Sequence, residues 1–293
     1  MKKIWKKIAL IIALLLILGL GVFANALVGN PISKLLAKQT ATKQLKEVYW
    51  DTDFRIERIS YSFKDGNYYI HISSPSSIDS HFTICTNMGG KLLYDSYESR
   101  VVTRQNTADR INTEYRELVE SVLKSPMVSF TSDIWFGDIA FISETYEIID
   151  DFPACSIISE TLELDKIYDV REFGKQAGVL VVYIQDEIVT IERAAELLLE
   201  IKYIMDSNDI PFYAIDFELK YPKPENEELI VEWREKPTID ILEFLYEDIY
   251  EEGLIERVKV ANQETIAYYE ELDNQKEMEI KEFEEDMSEY IEK

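Results

Sequence analysis

The chain has 293 residues, 46% of them hydrophobic and 12% aromatic, with a formal charge of −25. That is enough apolar material for two ordinary domains with real cores, which excludes a disordered tail. The negative charge is repelled by phosphate and argues against nucleic acid as a partner.

Residues 8–28 form an apolar run whose only polar side chain is Asn25. As a helix, 21 residues span roughly 31 Å, which matches a hydrocarbon core of about 30 Å. Four lysines (Lys2, Lys3, Lys6, Lys7) crowd its start, whereas the four that follow (Lys34, Lys38, Lys43, Lys46) are spread out. This asymmetry predicts a single-pass membrane anchor with a cytoplasmic N-terminus and an extracytoplasmic body, with Trp5 at the inner interface. The rival reading is secretion after cleavage following Ala26, because Ala24-Asn25-Ala26 has the small-x-small form of a signal-peptidase site. No lipobox cysteine lies near the span.

After Asn30-Pro31, the spacing of Ile32, Leu35, Leu36, Leu45, Val48 and Tyr49 predicts a helix. It is basic where the body is acidic, so its lysines either rest on anionic headgroups or face solvent. Residues 54–63, 67–73, 81–87 and 91–97 then read as four strands. Tight turns at Lys64-Asp65-Gly66-Asn67 and Met88-Gly89-Gly90 and a longer polar connection over 74–80 join them into an antiparallel meander buried on one face. A helix over 107–124, with Ile111, Tyr115, Leu118 and Val122 on one side, is expected to cover that face.

A second unit starts after Ser125-Pro126, with a strand over 134–142. Asp169 and Glu172 have capping-box form at the start of a short helix that Gly178 is expected to close in a left-handed conformation. Residues 179–184 read as a fully apolar strand, and Thr190 as the cap of a helix over 191–205. Two strands follow, 213–221 and 229–234, joined at 222–226. Thr238 is expected to cap a helix ended by Gly253, with a further helix from Leu254 onward. Residues 223–293 carry 24 acidic against 8 basic side chains. Ile280, Phe283, Met287 and Tyr290 make a narrow stripe, expected to dock on its own domain, with a partner helix or a second copy as alternatives. The fold class is α+β: a basic tail (1–7), an anchor (8–28), a helix-plus-meander domain (31–125), an α+β sandwich with a largely antiparallel sheet (127–272) and an acidic amphipathic helix (273–293).

Residues for chemistry are sparse. His71 and His81 lie on the polar side of their strands without metal-ligand spacing. Cys85 shares a face with His81 but is roughly 13 Å along the strand from it. Cys85 and Cys155 read as two separate thiols in different domains, with a disulfide as the alternative. Ser121-Val122-Leu123-Lys124 matches Ser-x-x-Lys but lacks the companion motifs of that enzyme class. Gly89-Gly90 reads as a hairpin, and Asp150-Asp151 and Glu284-Glu285-Asp286 as solvated charge rather than calcium loops. No catalytic, cofactor-binding or metal-binding residue is therefore expected, and no cofactor.

The lysine-flanked apolar segment running into Gly29-Asn30-Pro31, SFKDGNYYI at 62–70, YDVREFGKQAGVLVVYIQD at 168–186 and NDIPFYAIDFEL at 208–219 together resemble the YfjL-like family, uncharacterised membrane-anchored proteins from Bacillus-type bacteria. The resemblance implies one anchor and two small domains and supplies no catalytic or binding residue. The expectation is a non-catalytic envelope protein that binds a peptide, protein or wall component. The alternatives are an envelope hydrolase and a scaffold that self-assembles through its C-terminal helix.

Overall fold

The computed structural model describes Trp5, Ile12, Leu16, residues 27–125, 128–144 and 155–224, Ile230, Trp233, and residues 236–292. The expected anchor lies outside them except for Ile12, Leu16, Leu27 and Val28, and among the described residues no helix is long and apolar enough to cross a membrane. The chain divides into two compact units. One comprises Met1–Arg110 with Ile158–Ile167, and the other Ile111–Ile157 with Tyr168–Lys293.

In the first unit, helix α1 (Pro31–Glu47) precedes an antiparallel sheet of order β1-β2-β3-β4, made of Arg55–Ser62, Asn67–Ser73, His81–Thr86 and Leu92–Asp95. Asn30 caps α1 by accepting the Ser33 amide, and Pro31 supplies a pre-set first turn. Gly66 and Gly90 adopt positive φ of 72° and 76° at the two tight hairpins, as the turn chemistry requires. The covering helix differs from expectation. It is α1 that seals the apolar face, its Ala37 and Ala41 fully buried with Tyr68, Ile70, Ile72, Phe82 and Ile84. Alanine is small enough to let the helix approach the sheet closely, so this face carries little hydrophobic signal in the sequence.

Helix α2 (Gln105–Leu123) begins in the first unit and continues in the second, where Tyr115 and Val119 pack against Gly137 of β5 (Thr131–Ile139). A two-stranded ladder pairs β6 (Phe141–Ile142) with β7 (Ile157–Ile158). Asp169 caps α3 (Val170–Ala177) by accepting the Arg171 amide, as expected. Gly178, however, is extended at φ −77° and opens β8 (Gly178–Gln185). Its lack of a side chain is needed for space, since a Cβ there would stand 2.5 Å from the Gly174 carbonyl oxygen and 2.6 Å from Tyr115 Oη. Thr190 caps α4 (Ile191–Ser207), whose Leu197, Leu198 and Ile201 are fully buried, and β9 (Ala214–Lys220) alternates as expected.

The sheet order is β10-β9-β8-β5, largely antiparallel as expected, with both outer pairs antiparallel and the central pair β8 and β9 parallel. β8-α4-β9 is thus a crossover unit. The partner of β9 is β10 (Ile239–Leu245), a segment expected to be helical. A bulge between Ile241 and Phe244, with Glu243 at φ +50°, breaks the period of two and gives the strand helix-like spacing. The expected strand at 229–234 lies outside the described residues except for Ile230 and Trp233, which are helical.

Helix α5 (Leu254–Glu292) is continuous. Its Asn262 and Thr265 side chains accept the Asp240 and Leu242 amides at 2.8 and 3.1 Å, which closes the β10 edge to strand addition. Further along, Ile280 and Phe283 are 58% and 68% exposed, so this part of the expected stripe does not dock on its own domain.

Candidate functional site

Each unit carries a cleft. In the second unit, about 590 Å³ is lined by Lys175, Asp206, Pro211, Phe212 and Tyr246 among others. Tyr246 Oη donates to Asp206 at 3.0 Å, and behind the ring the Lys202 ammonium stands 3.8 Å from its centroid while donating to the Tyr246 and Ile249 carbonyls. In the first unit, an open cleft of about 620 Å³ lies between the turn after α1 and the 74–80 connection. Here two aspartates and four serines converge, several of them bonded to one another.

The floor of this cleft is aromatic. Phe54 and Tyr97 belong to a cluster with Tyr49 and Phe82, with ring centroids 4.9–5.9 Å apart. One wall carries Asp51 and Asp53, the other Ser74, Ser76, Ser77 and Ser80. Ser74 Oγ donates to Asp53 Oδ1 at 2.6 Å and accepts the Ser76 amide at 3.2 Å. The Ser74 and Ser76 hydroxyls hold the Asp53 carboxyl below its usual range, so the wall is anionic at neutral pH. Trp50 stands on the rim, 74% exposed.

The serine wall is fixed from behind by Asp79, which is 1% exposed. Its carboxylate accepts Arg110 Nε at 2.8 Å, Arg110 Nη2 at 2.9 Å, Thr107 Oγ1 at 2.9 Å and the Asp165 amide at 3.0 Å. Asp165 replies through its own Oδ1, which accepts the Asp79 amide at 2.9 Å and Ser77 Oγ at 2.8 Å. Asn106 Nδ2 donates to the Asp79 and His81 carbonyls. Burial opposes ionisation of Asp79, but Arg110, Thr107 and the Asp165 amide outweigh it and hold the carboxyl below its usual value. The loop is thereby preorganised, as a binding wall requires.

The residues singled out in the sequence are not brought together. Cys85 is fully buried, and burial pushes its thiol up. His71 lies 3.1 Å from Ser60 Oγ through Nε2, and burial lowers its pKa. His81 pairs with Ser73 across the sheet. Both cysteines are free. Ser121 donates to the Leu118 carbonyl at 2.7 Å, while Lys124 pairs with Glu120, so no Ser-Lys dyad forms. Asp150 and Asp151 lie outside the described residues, as do the side chains of Glu284, Glu285 and Asp286. Among the described residues no group of three or more His, Cys, Asp or Glu could hold a metal ion. The cleft itself was missed, because its serines read only as a polar connection and nothing in the sequence sets Asp79 apart from the other carboxylates.

The second sheet carries a carboxylate row: Glu218 stands opposite both Tyr183 and Asp240, with Asp216 two residues along β9. Burial, then repulsion from Glu218 and Asp216, pushes Asp240 up to about 6. A carboxyl whose folded pKa exceeds its unfolded value costs stability once both states are ionised, so this group's contribution improves as pH falls from about 6 towards 4. The full displacement corresponds to roughly 3 kcal/mol, and residual solvent access reduces it to about 1–2 kcal/mol. Asp240→Asn is therefore expected to stabilise the protein by about 1–2 kcal/mol at pH 7. The gain should vanish below pH 4, as read from urea midpoints across that range; a variant with no gain at pH 7 would contradict this.

The N-terminal domain of YfjL-like proteins matches residues 3–96 and the YfjL-like C-terminal domain matches residues 114–259. No curated protein matches the chain. Among solved structures, a DUF5037 family protein from Ruminococcus gnavus ATCC 29149 is similar at 13% identity, over 78% of this chain and 99% of that one. Its TM-score is 0.23, a likeness too distant to carry structural meaning. With both halves matched in order and over most of its length, the chain belongs to the YfjL-like family.

Proposed function

We propose that the protein is a single-pass, membrane-anchored binding module of the cell envelope, non-catalytic, whose first unit takes a hydroxyl-rich saccharide strand such as a wall glycan. The observation that carries this reading is the cleft at Trp50: an exposed indole beside two aspartates and four serines, over an aromatic floor. An indole face takes the C–H face of a pyranose, carboxylates accept hydroxyl protons, and serine hydroxyls both donate and accept. The volume falls in the range of small-molecule sites. The apolar run at 8–28, flanked by lysines on its N-terminal side, supports the anchor and the outward orientation.

The test is calorimetric titration of the full chain in nanodiscs with a soluble β-linked amino-sugar tetramer. Trp50→Ala is expected to weaken binding by about tenfold or more, the equivalent of one lost stacking contact. No binding at millimolar sugar, or equal affinity in the variant, would overturn the saccharide reading. Cleavage of the tetramer would overturn the non-catalytic one in favour of the hydrolase alternative.

A further inference from the structure

We infer that the outward face of α1 lies on anionic lipid headgroups and so orients the first unit on the membrane; this rests on the anchored reading above.

The first observation is the joint. Leu27 and Val28 are helical, Gly29 turns the chain at φ +76°, and α1 starts at Pro31. A Cβ on Gly29 would stand 2.5 Å from Tyr68 Oη and 2.8 Å from Tyr61 Cγ, so the turn is pressed against the sheet. Tyr68 Oη accepts the Asn30 amide at 2.7 Å and stands 3.1 Å from the Asn30 carbonyl oxygen, to which it donates. No slack linker separates the end of the apolar segment from the folded unit.

The second observation is the face itself. Ser33, Ala37 and Ala41 point into the core, which turns Ile32, Leu35, Lys38, Lys43 and Lys46 outward. Ile32 and Leu35 are 73% and 55% exposed, and they sit in the first turns, nearest the joint. Lys34 lies between them and Lys38, Lys43 and Lys46 follow, against one acidic residue, Glu47, on a chain of net charge −25. Apolar groups with cations beyond them, on a helix of four lysines and one glutamate in an acidic protein, complement a surface that is oily inside and anionic outside. A protein partner would have to supply the same order of chemistry beside the end of the span, which the bilayer does without further assumption.

The test uses the full chain carrying Cys155→Ser and a bimane label at Leu35→Cys, reconstituted in vesicles of phosphatidylcholine alone or with about 30% phosphatidylglycerol. Cys85 is fully buried and stays unlabelled. Quenching by neutral acrylamide is expected to fall about threefold at Leu35 in the anionic vesicles, with no change for a label at Ile78→Cys, an exposed site off the helix. Adding Lys34→Gln, Lys38→Gln, Lys43→Gln and Lys46→Gln should abolish the difference, the electrostatic part being what lipid charge adds. Equal quenching at Leu35 in both lipids, in chain that resists alkaline carbonate extraction, would overturn the headgroup contact and leave the anchor standing. Loss of the chain from the vesicles under carbonate would overturn both.

Discussion

Arg110→Met is expected to destabilise the first unit by about 3–5 kcal/mol at neutral pH, the effect of stripping the counter-charge from a buried carboxylate. In the native unit the guanidinium meets both Asp79 oxygens and also donates to the Lys166 carbonyl at 2.8 Å. Without it, Thr107 and the Asp165 amide remain, too little to solvate an anion in a site only 1% exposed. Two comparisons separate this cause from general damage. The double variant Asp79→Leu, Arg110→Met should be milder than the single one, because no charge is then left buried. The pH response should also reverse. In the native protein Asp79 is held below its usual pKa, so its stabilisation is present above the ordinary carboxylate range and is lost as pH falls through the lower folded value. In Arg110→Met the desolvated carboxyl is raised instead, and acidification towards pH 4 should restore stability. Urea unfolding, with hydrogen exchange over residues 67–86 reporting on the first sheet, reads all three. A single variant within 1 kcal/mol of the native protein would show that the knot does not hold the loop.

Tyr115→Ala is expected to cost the second unit about 3–5 kcal/mol, as for other large buried aromatics. Tyr115 is fully buried and fits a notch formed by three glycines. A Cβ would stand 2.7 Å from its ring at Gly137, 2.5 Å at Gly174, and 2.6 Å from its hydroxyl at Gly178. The hydroxyl donates to the Pro211 carbonyl at 3.0 Å, so Tyr115→Phe should lose about 1 kcal/mol. Gly174→Ala tests the same fit from the other side, since its methyl would also meet the Pro211 carbonyl oxygen at 2.6 Å; a loss of about 1–3 kcal/mol is expected. Thermal unfolding of the three variants checks the order Ala at 115 worst, Phe at 115 mildest. A Tyr115→Ala protein within 1 kcal/mol of the native one would mean that the notch collapses freely and that Tyr115 does not organise the packing.

Local chemistry was legible in the residues. Asn30-Pro31, Asp169 and Thr190 mark three helix starts, Gly66 and Gly90 two hairpins, and the alternation in 67–73 and 214–220 gives the buried face of each strand. What failed depends on distant partners or local irregularity. The β10 bulge disguises a strand, and the alanines of α1 hide the face by which that expected helix covers the first sheet. The cleft was illegible for the same reason as the knot behind it. Asp79 acquires meaning only from Thr107, Arg110 and Asp165, the last 86 residues away, and no spacing rule links them.

The most direct measurement of the central claim is hydrogen exchange on the full chain in nanodiscs, with and without the amino-sugar tetramer, followed by recovery of the sugar. Slowed exchange confined to residues 50–54 and 74–80, with the tetramer returned whole, is the predicted result. Slowing elsewhere, no slowing at saturating sugar, or recovery of shorter sugars would contradict it.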